Sequence, residues 1–180
     1  MIASPSEVLA FWRGAGPEKW FTKDTVFDEA IRTRFLETYE AAAAGRLADW
    51  ERTAEDALAL VIVLDQFPRN MFRGSARTFA ADPTARALAE RVLARGFDRI
   101  VSPIDRQFFY LPFEHSESLA DQERACALFR AEGDTDKLKW AELHADIIRR
   151  FGRFPHRNAA LGRISTPEEQ AFLDSGGFAG

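Results

Sequence analysis

Two related phrases in the chain place arginine and asparagine beside a Phe-Pro step. The first occupies residues 67–74 as FPRNMFRG, and the second occupies residues 153–162 as RFPHRNAALG. An arginine guanidinium is a planar fork that suits a carboxylate or a phosphate, and an asparagine amide adds a further donor. The phrases therefore predict an anion-binding site. Its candidate ligand-binding residues are Arg69, Asn70, Arg73, Arg153, Arg157 and Asn158.

The surroundings of both phrases carry no negative charge. Neither Asp nor Glu occurs from residue 66 to 81 or from residue 147 to 163. A residue before proline is pushed away from helical geometry, so the preceding helices should end near Phe67 and Phe154. Pro68 and Pro155 can then begin short turns whose exposed amides face an anion. We expect the two turns to meet and to bind a small acidic molecule or an acidic peptide end.

A purely structural polar network in a protein-interaction scaffold, whose grooves would hold a peptide, is one alternative to ligand binding. In that interpretation the arginines and asparagines tie two turns together, while Glu114 and Glu117 neutralise them. A buried network of this kind can fix a structure without binding anything.

An enzyme is the other alternative. Residues 114–117 read EHSE, so an acid, a base and a hydroxyl group stand side by side. Neighbours along a chain need not converge in space. A histidine paired with a carboxylate could nevertheless act as a general base in a hydrolase or transferase that uses an anionic substrate. The candidate catalytic residues are His115, Glu114 and His156.

No metal or cofactor is predicted. The three histidines show no ligand spacing, and Cys126 has no cysteine or histidine nearby. His144 shares a helical face with Ile147 and Phe151, which is typical of a histidine in a core. Cys126 aligns with Leu119, Gln122 and Phe129, which favours a buried structural thiol.

Composition restricts the class of protein. The 180 residues are 46% hydrophobic and include 16 Phe and four Trp, which is typical of a packed globular protein. The net charge of −4 argues against nucleic-acid binding, although Arg149 to Arg163 is basic and rich in aromatics. The single cysteine fits a reducing compartment. With no apolar leader and no run of about 20 apolar residues, we expect a cytoplasmic protein without membrane contact. Monomer and homodimer both stay open.

Helical signals cover the chain, and no alternating strand pattern is convincing. Capping boxes begin helices at Ser4 and Thr166, and Asp82-Pro83 begins another. The apolar segment 58–64 predicts a central buried helix, with a buried strand as the rival because of its β-branched residues. Further helices are expected over about 24–45, 51–66, 104–111, 119–131 and 136–150, with Pro112 ending the 104–111 helix. We therefore predict a single all-α domain of about nine helical segments over residues 1–180.

Four motifs resemble one bacterial family. They are KWF at 19–21, LDQFPRNMFRG at 64–74, LPFEHSE at 111–117 and RFGRFPHRN at 150–158. The chain is similar to domain-of-unknown-function family 924 over nearly its whole length. This resemblance implies a tetratricopeptide-like stack of antiparallel helical pairs. It implies no reaction and no catalytic residue.

Overall fold

The structure is a computed structural model that describes residues 1–178, and within that range it is all-helical with no strand. Short 3-10 turns cover Ala48–Arg52, Ala76–Thr78, Phe97–Arg99 and Pro155–Arg157. Within residues 1–178, α4, a π turn and α5 follow one another without a break. Counted as one helix, they bring the number of helices in this range to nine. The helices are α1 (Pro5–Ala15), α2 (Pro17–Trp20), α3 (Thr25–Ala43), α4 (Ala54–Val61), α5 (Phe67–Met71), α6 (Asp82–Ala94), α7 (Pro103–Glu114), α8 (Leu119–Glu132), α9 (Thr135–Phe151) and α10 (Pro167–Asp174).

The chain divides into two compact units. The first contains Met1–Arg73 and Arg77–Pro112, and the second contains Gly74–Ala76 and the residues from Phe113 onward. Each unit has its own buried side chains. The expectation of a single domain stays a prediction.

The helix starts read from the sequence are confirmed where side-chain capping defines them. Ser4 and Glu7 form a reciprocal capping box at α1, and Thr166 and Glu169 form another at α10. Asp24 caps α3 by accepting from two backbone amides. Each cap satisfies amide donors that the helix itself leaves without a partner. Local chemistry therefore fixes these boundaries.

The first Phe-Pro step does not end its helix, contrary to the prediction. Phe67 has φ −57° and ψ −39°, and helix continues through Pro68 to Met71. The residues Ile62–Gln66 form a π turn, in which the Phe67 amide donates to the carbonyl of Ile62. This wider turn accommodates a proline that cannot donate to the preceding turn. The rival strand interpretation of residues 58–64 is wrong, and all seven of these residues are buried.

Pro112 does not end its helix either. It lies inside α7, which runs to Glu114. Phe108 and Phe109 before it and Phe113 after it are all fully buried. Burial of a phenylalanine side chain stabilises a fold by about 1.5–3 kcal/mol, which is comparable to the cost of proline in a helix. Packing therefore outweighs the local signal.

Aromatic rings form the core of the first unit. Trp12 is fully buried, and its ring lies 5.8 Å from those of Trp20 and Phe67 and 5.7 Å from that of Phe108. The indole of Trp20 also donates to the backbone oxygen of Trp12 at 2.7 Å. These contacts anchor α1, α2 and α7 to the helix that contains α5. The helix α2 was not predicted, because its four residues are too few for a periodic pattern.

Two paired helices and a small apolar cluster build the second unit. α8 and α9 pack along each other and are joined at Gly133, whose φ is +77°. Ile147, Ile148 and Phe154 are buried together, with Phe172 and Phe178 packed against them. Cys126 and His144 are buried, as the sequence predicts. The tetratricopeptide-like stacking of pairs stays a prediction. Among residues 1–178, no helix is long and apolar enough to cross a membrane.

Candidate functional site

Arg69 lies in an acidic environment within the first unit. Its guanidinium donates two hydrogen bonds to the carboxylate of Asp82, at 2.9 and 3.0 Å, and a third to the backbone oxygen of Asp65 at 2.6 Å. The Asp65 carboxylate is fully buried, with one oxygen 3.6 Å from Arg69. Burial opposes the charge on Arg69, but Asp65 and Asp82 outweigh it and raise the pKa of the guanidinium. Arg69 therefore bridges two aspartates.

Asn70 and Arg73 bind one carboxylate together. The Asn70 amide donates to Asp28 at 2.8 Å, and the Arg73 guanidinium donates to both oxygens of Asp28 at 2.6 and 3.0 Å. Asp28 stands in the first turn of α3, where the helix dipole favours a negative charge. The Arg73 side chain is 37% exposed, whereas that of Asp28 is 14% exposed. We call this group the first clamp: Asn70, Arg73 and Asp28.

The second unit repeats this arrangement. The Arg153 guanidinium donates to both oxygens of Glu169 at 2.6 and 2.8 Å, and the Asn158 amide donates to the same carboxylate at 3.1 Å. Glu169 stands in the first turn of α10 and also accepts from the Thr166 amide at 2.8 Å. We call this group the second clamp: Arg153, Asn158 and Glu169.

Glu169 is the carboxyl group of the second clamp, and its pKa is strongly lowered. Its side chain is almost completely buried. The hydrogen bonds from Arg153 are the main cause that lowers the pKa of Glu169 to about 2, and the Thr166 amide and Asn158 add to the effect against burial. The carboxylate is therefore held firmly in its charged form.

Arg157 has a different role from Arg153. It is 7% exposed, its guanidinium lies over the ring of Phe154 at 4.4 Å, and it donates to the backbone oxygen of His115 at 2.9 Å. This arginine thus holds the loop after α7 through a backbone group. Its stacking on an aromatic face is a favourable contact for a guanidinium.

Glu117 binds Arg163, a residue outside the candidate set. Both of its oxygens accept from the Arg163 guanidinium, at 2.7 and 3.0 Å, and one also accepts from the Phe154 amide at 2.8 Å. Burial works against ionisation, but Arg163 and the Phe154 amide outweigh it and lower the pKa of Glu117. The sequence did not identify Arg163, although it lies in the basic stretch.

Glu114, the acid candidate, lies beside His144 in the second unit. One oxygen of Glu114 lies 3.2 Å from Nδ1 of His144, and the same nitrogen lies 2.8 Å from the backbone oxygen of Trp140. The ring of His156 packs 5.5 Å from that of Phe154. The structure thus brings Glu114 together with His144, which the sequence assigned to the core. Both side chains are buried and polar, and their contact depends on the fold. The spacing of the two residues along the chain therefore gave no signal of it.

A cleft of about 270 Å³ lies between α8 and α9, and a second, of about 250 Å³, lies in the first unit. Cys126 lines the first cleft, and burial raises the pKa of its thiol, as expected for a structural cysteine. No group of three metal-ligating side chains occurs in the described part of the chain. The first cleft is lined by Glu123, Cys126, Arg130, Glu142, Asp146 and Arg149, and the second by Ser6, Leu9, Ala10, Arg13, Glu55 and Asp56.

Comparison with known families supports the resemblance seen in the motifs. The family described as "Bacterial protein of unknown function (DUF924)" matches residues 8–177. The chain belongs to this family. A solved structure of a protein of unknown function from Agrobacterium tumefaciens is 48% identical, with a TM-score of 0.92, and the match covers 95% of this chain and 97% of that chain. No curated protein matches.

The candidate ligand-binding residues fall into two groups. Arg69, Asn70 and Arg73 lie in the first unit, whereas Arg153, Arg157 and Asn158 lie in the second. The joining of both groups into one site stays a prediction. The sequence did not identify their carboxylate partners, Asp28, Asp65, Asp82 and Glu169, since three of them stand in other segments of the chain.

Proposed function

We propose that the chain is a helical protein-binding scaffold, in which the two clamps hold helices in place within their own units. The observation that carries this proposal is the shared design of the clamps. In each, one arginine and one asparagine bind a single carboxylate of the same unit in the first turn of a helix. The carboxylate binding that is expected of arginine and asparagine is thus directed at side chains of the protein itself.

Charge balance supports an internal role for the second clamp. An external anion would have to displace Glu169 from Arg153, Asn158 and the Thr166 amide. The displaced carboxylate would lose its donors while it stays largely buried. Leaving a buried charge without its partner is strongly unfavourable. Competition by a weakly bound ligand at this clamp is therefore disfavoured.

Exposed apolar side chains provide the surface that a scaffold needs. In the second unit Trp140 is 57% exposed on α9, with Leu143 beside it. In the first unit Phe21 is 63% exposed, and Val26 is also exposed. Aromatic side chains are enriched among the residues that dominate protein interfaces. Exposed aromatic anchors of this kind support protein binding in preference to small-molecule binding.

Surface variants test the scaffold. The immobilised chain is used to capture proteins from a bacterial lysate, in parallel with Trp140→Ala, Phe21→Ala and the control Lys139→Ala, which alters an exposed charge near Trp140. We expect the wild type and Lys139→Ala to retain a protein that one of the two aromatic variants does not retain. The Tm of that aromatic variant should be unchanged, which shows that it is folded. Equal capture by all four chains would contradict the proposal.

Anion binding at the first clamp is a second candidate, favoured by the exposure of Arg73. Its guanidinium and the Asn70 amide already fit a carboxylate, and Arg73 is open to solvent. A thermal-shift screen of organic acids and phosphates tests this function. An anion that raises Tm by several degrees in the wild type, but not in Arg73→Ala, would favour it over the scaffold. Catalysis with His115 or His156 as the base is the remaining alternative, and hydrolysis or group transfer lost in His156→Gln would support it.

A further inference from the structure

The chain turns back directly after α10. Gly176 has a φ of +80°, a conformation that favours glycine, and the Gly177 amide donates to the backbone oxygen of Phe172 at 3.0 Å. A Cβ atom added at Gly177 would lie 2.6 Å from that same oxygen, so a larger residue does not fit without a shift. Residues 175–178, which we call the strap, therefore have a defined path.

The strap places Phe178 between two imidazoles. The ring of Phe178 lies 4.6 Å from that of His144 and 5.2 Å from that of His156, both in edge-to-face geometry. Both imidazoles also contact Phe154. The ring centres lie 5.6 Å apart for His144 and 5.5 Å apart for His156. The half-buried Phe178 thus packs directly against two imidazole rings.

Several charged or titratable groups face this cluster. Glu114, at the end of α7, lies 3.2 Å from Nδ1 of His144 and supplies a negative charge. The 3-10 turn contributes His156 and the guanidinium of Arg157, which lies over Phe154. From α8, the thiol of Cys126 is within electrostatic range of Glu114. The carboxylate of Glu114 therefore favours a positive charge on His144.

We propose that the strap is pH-responsive, and that Phe178 seats more tightly when His144 carries a proton. Protonation converts the contact with Glu114 into an ion pair. It also places a cation in contact with Phe178 and Phe154, whose ring faces attract positive charge. Because His144 is only 8% exposed, these contacts and the backbone oxygen of Trp140, 2.8 Å from Nδ1, would have to support a charged imidazole there. The strap should loosen as pH rises above the midpoint of His144.

Linkage makes this proposal testable from the histidine side. If protonation of His144 tightens the strap, then removing the strap must make His144 harder to protonate. The midpoint of each histidine is measured by NMR from its ring proton shifts between pH 5 and 8. In Phe178→Leu, we expect the His144 midpoint to fall by about half a pH unit, the size of one cation–π contact.

A second variant displaces the strap without removing a ring. Gly177→Ala brings its new methyl group against the Phe172 backbone, so Phe178 should leave its seat and the His144 midpoint should fall as in Phe178→Leu. The matched controls are Phe151→Leu, which alters the same cluster, and Gly14→Ala, where a Cβ meets nothing within 4 Å. Both controls should leave the midpoint unchanged. An unchanged or raised midpoint in Phe178→Leu and Gly177→Ala would overturn the proposal.

Discussion

Arg153 and Glu169 form a two-point ion pair across 16 residues of chain, with N–O distances of 2.6 and 2.8 Å. The pair joins the turn after α9 to the first turn of α10. Because the Thr166 amide and Asn158 donate to the same carboxylate, three groups depend on one acidic side chain through four hydrogen bonds. The second clamp should therefore respond to changes at Glu169 more strongly than at any of its single donors.

Glu169→Gln should lower the Tm by about 5 °C at pH 7, because a neutral amide keeps the shape but loses charge-assisted hydrogen bonds. Calorimetry at neutral pH measures the change. Glu168→Gln, one position earlier and exposed, is the control and should leave Tm nearly unchanged. A Tm equal to that of the wild type would contradict a stabilising role for the second clamp.

The stability that Glu169 contributes should depend on pH. Its pKa in the folded chain is about 2, below the value near 4.3 of an unfolded glutamate. The contribution of Glu169 to stability is thus fully present above about pH 5. It is lost as the pH falls from about 5 towards the folded pKa of about 2. Urea denaturation of the wild type and of Glu169→Gln at several pH values measures it. The difference between the two chains should be constant from pH 8 to 5 and should shrink below pH 4.

Arg69→Ala should destabilise the chain by about 3 kcal/mol or more, because it removes the positive partner of the fully buried Asp65. The free energy of unfolding in urea measures this loss. Arg69→Lys is the informative comparison, since it keeps the charge but loses the two parallel bonds to Asp82. A loss below about 1 kcal/mol for Arg69→Ala would show that Asp65 does not depend on Arg69.

The first clamp should contribute less to stability, because Arg73 is open to solvent. A double-mutant cycle of Asp28→Ala and Arg73→Ala should give a coupling energy below about 1 kcal/mol. Addition of 0.5 M salt should reduce it further, since exposed ion pairs are screened. A coupling energy of several kcal/mol would contradict the expectation that the first clamp contributes little to stability.

Cys126 should react slowly with alkylating reagents. Burial raises the pKa of its thiol and limits access to the sulfur. We expect alkylation by iodoacetamide at pH 8 to be roughly tenfold slower or more than that of a free thiol. Full reactivity in 8 M urea is the control. Rapid modification of the folded chain would show that the cleft between α8 and α9 opens readily.

The sequence predicted the helical class and several helix starts, because capping depends on residues a few positions apart. Ser4 with Glu7 and Thr166 with Glu169 are examples. The sequence misjudged the ends at Phe67 and Pro112, where burial outweighs the conformational preference of proline. Local rules cannot weigh the packing of Phe108 or Phe113, which depends on distant parts of the chain.

The ligand site stays a prediction, and the carboxylates that its candidate residues meet could not be read from the sequence. The residue types indicated binding of carboxylates by arginine and asparagine, and the structure places such carboxylates beside them. Asp28 lies 42 residues from Asn70 and 45 from Arg73. No spacing rule connects residues so far apart, since the path of the intervening chain decides which side chains meet. For the same reason the pairing of Glu114 with His144 could not be anticipated.

The π turn at Ile62–Gln66 has a consequence for how related chains can vary. Such a turn holds one more residue than an α-helical turn, so it rotates everything that follows by about 100° around the axis. Deleting a single residue there would return α5 to the ordinary phase and swing Asn70 and Arg73 away from Asp28. Relatives that keep the first clamp should therefore preserve the length of this segment even where its side chains differ.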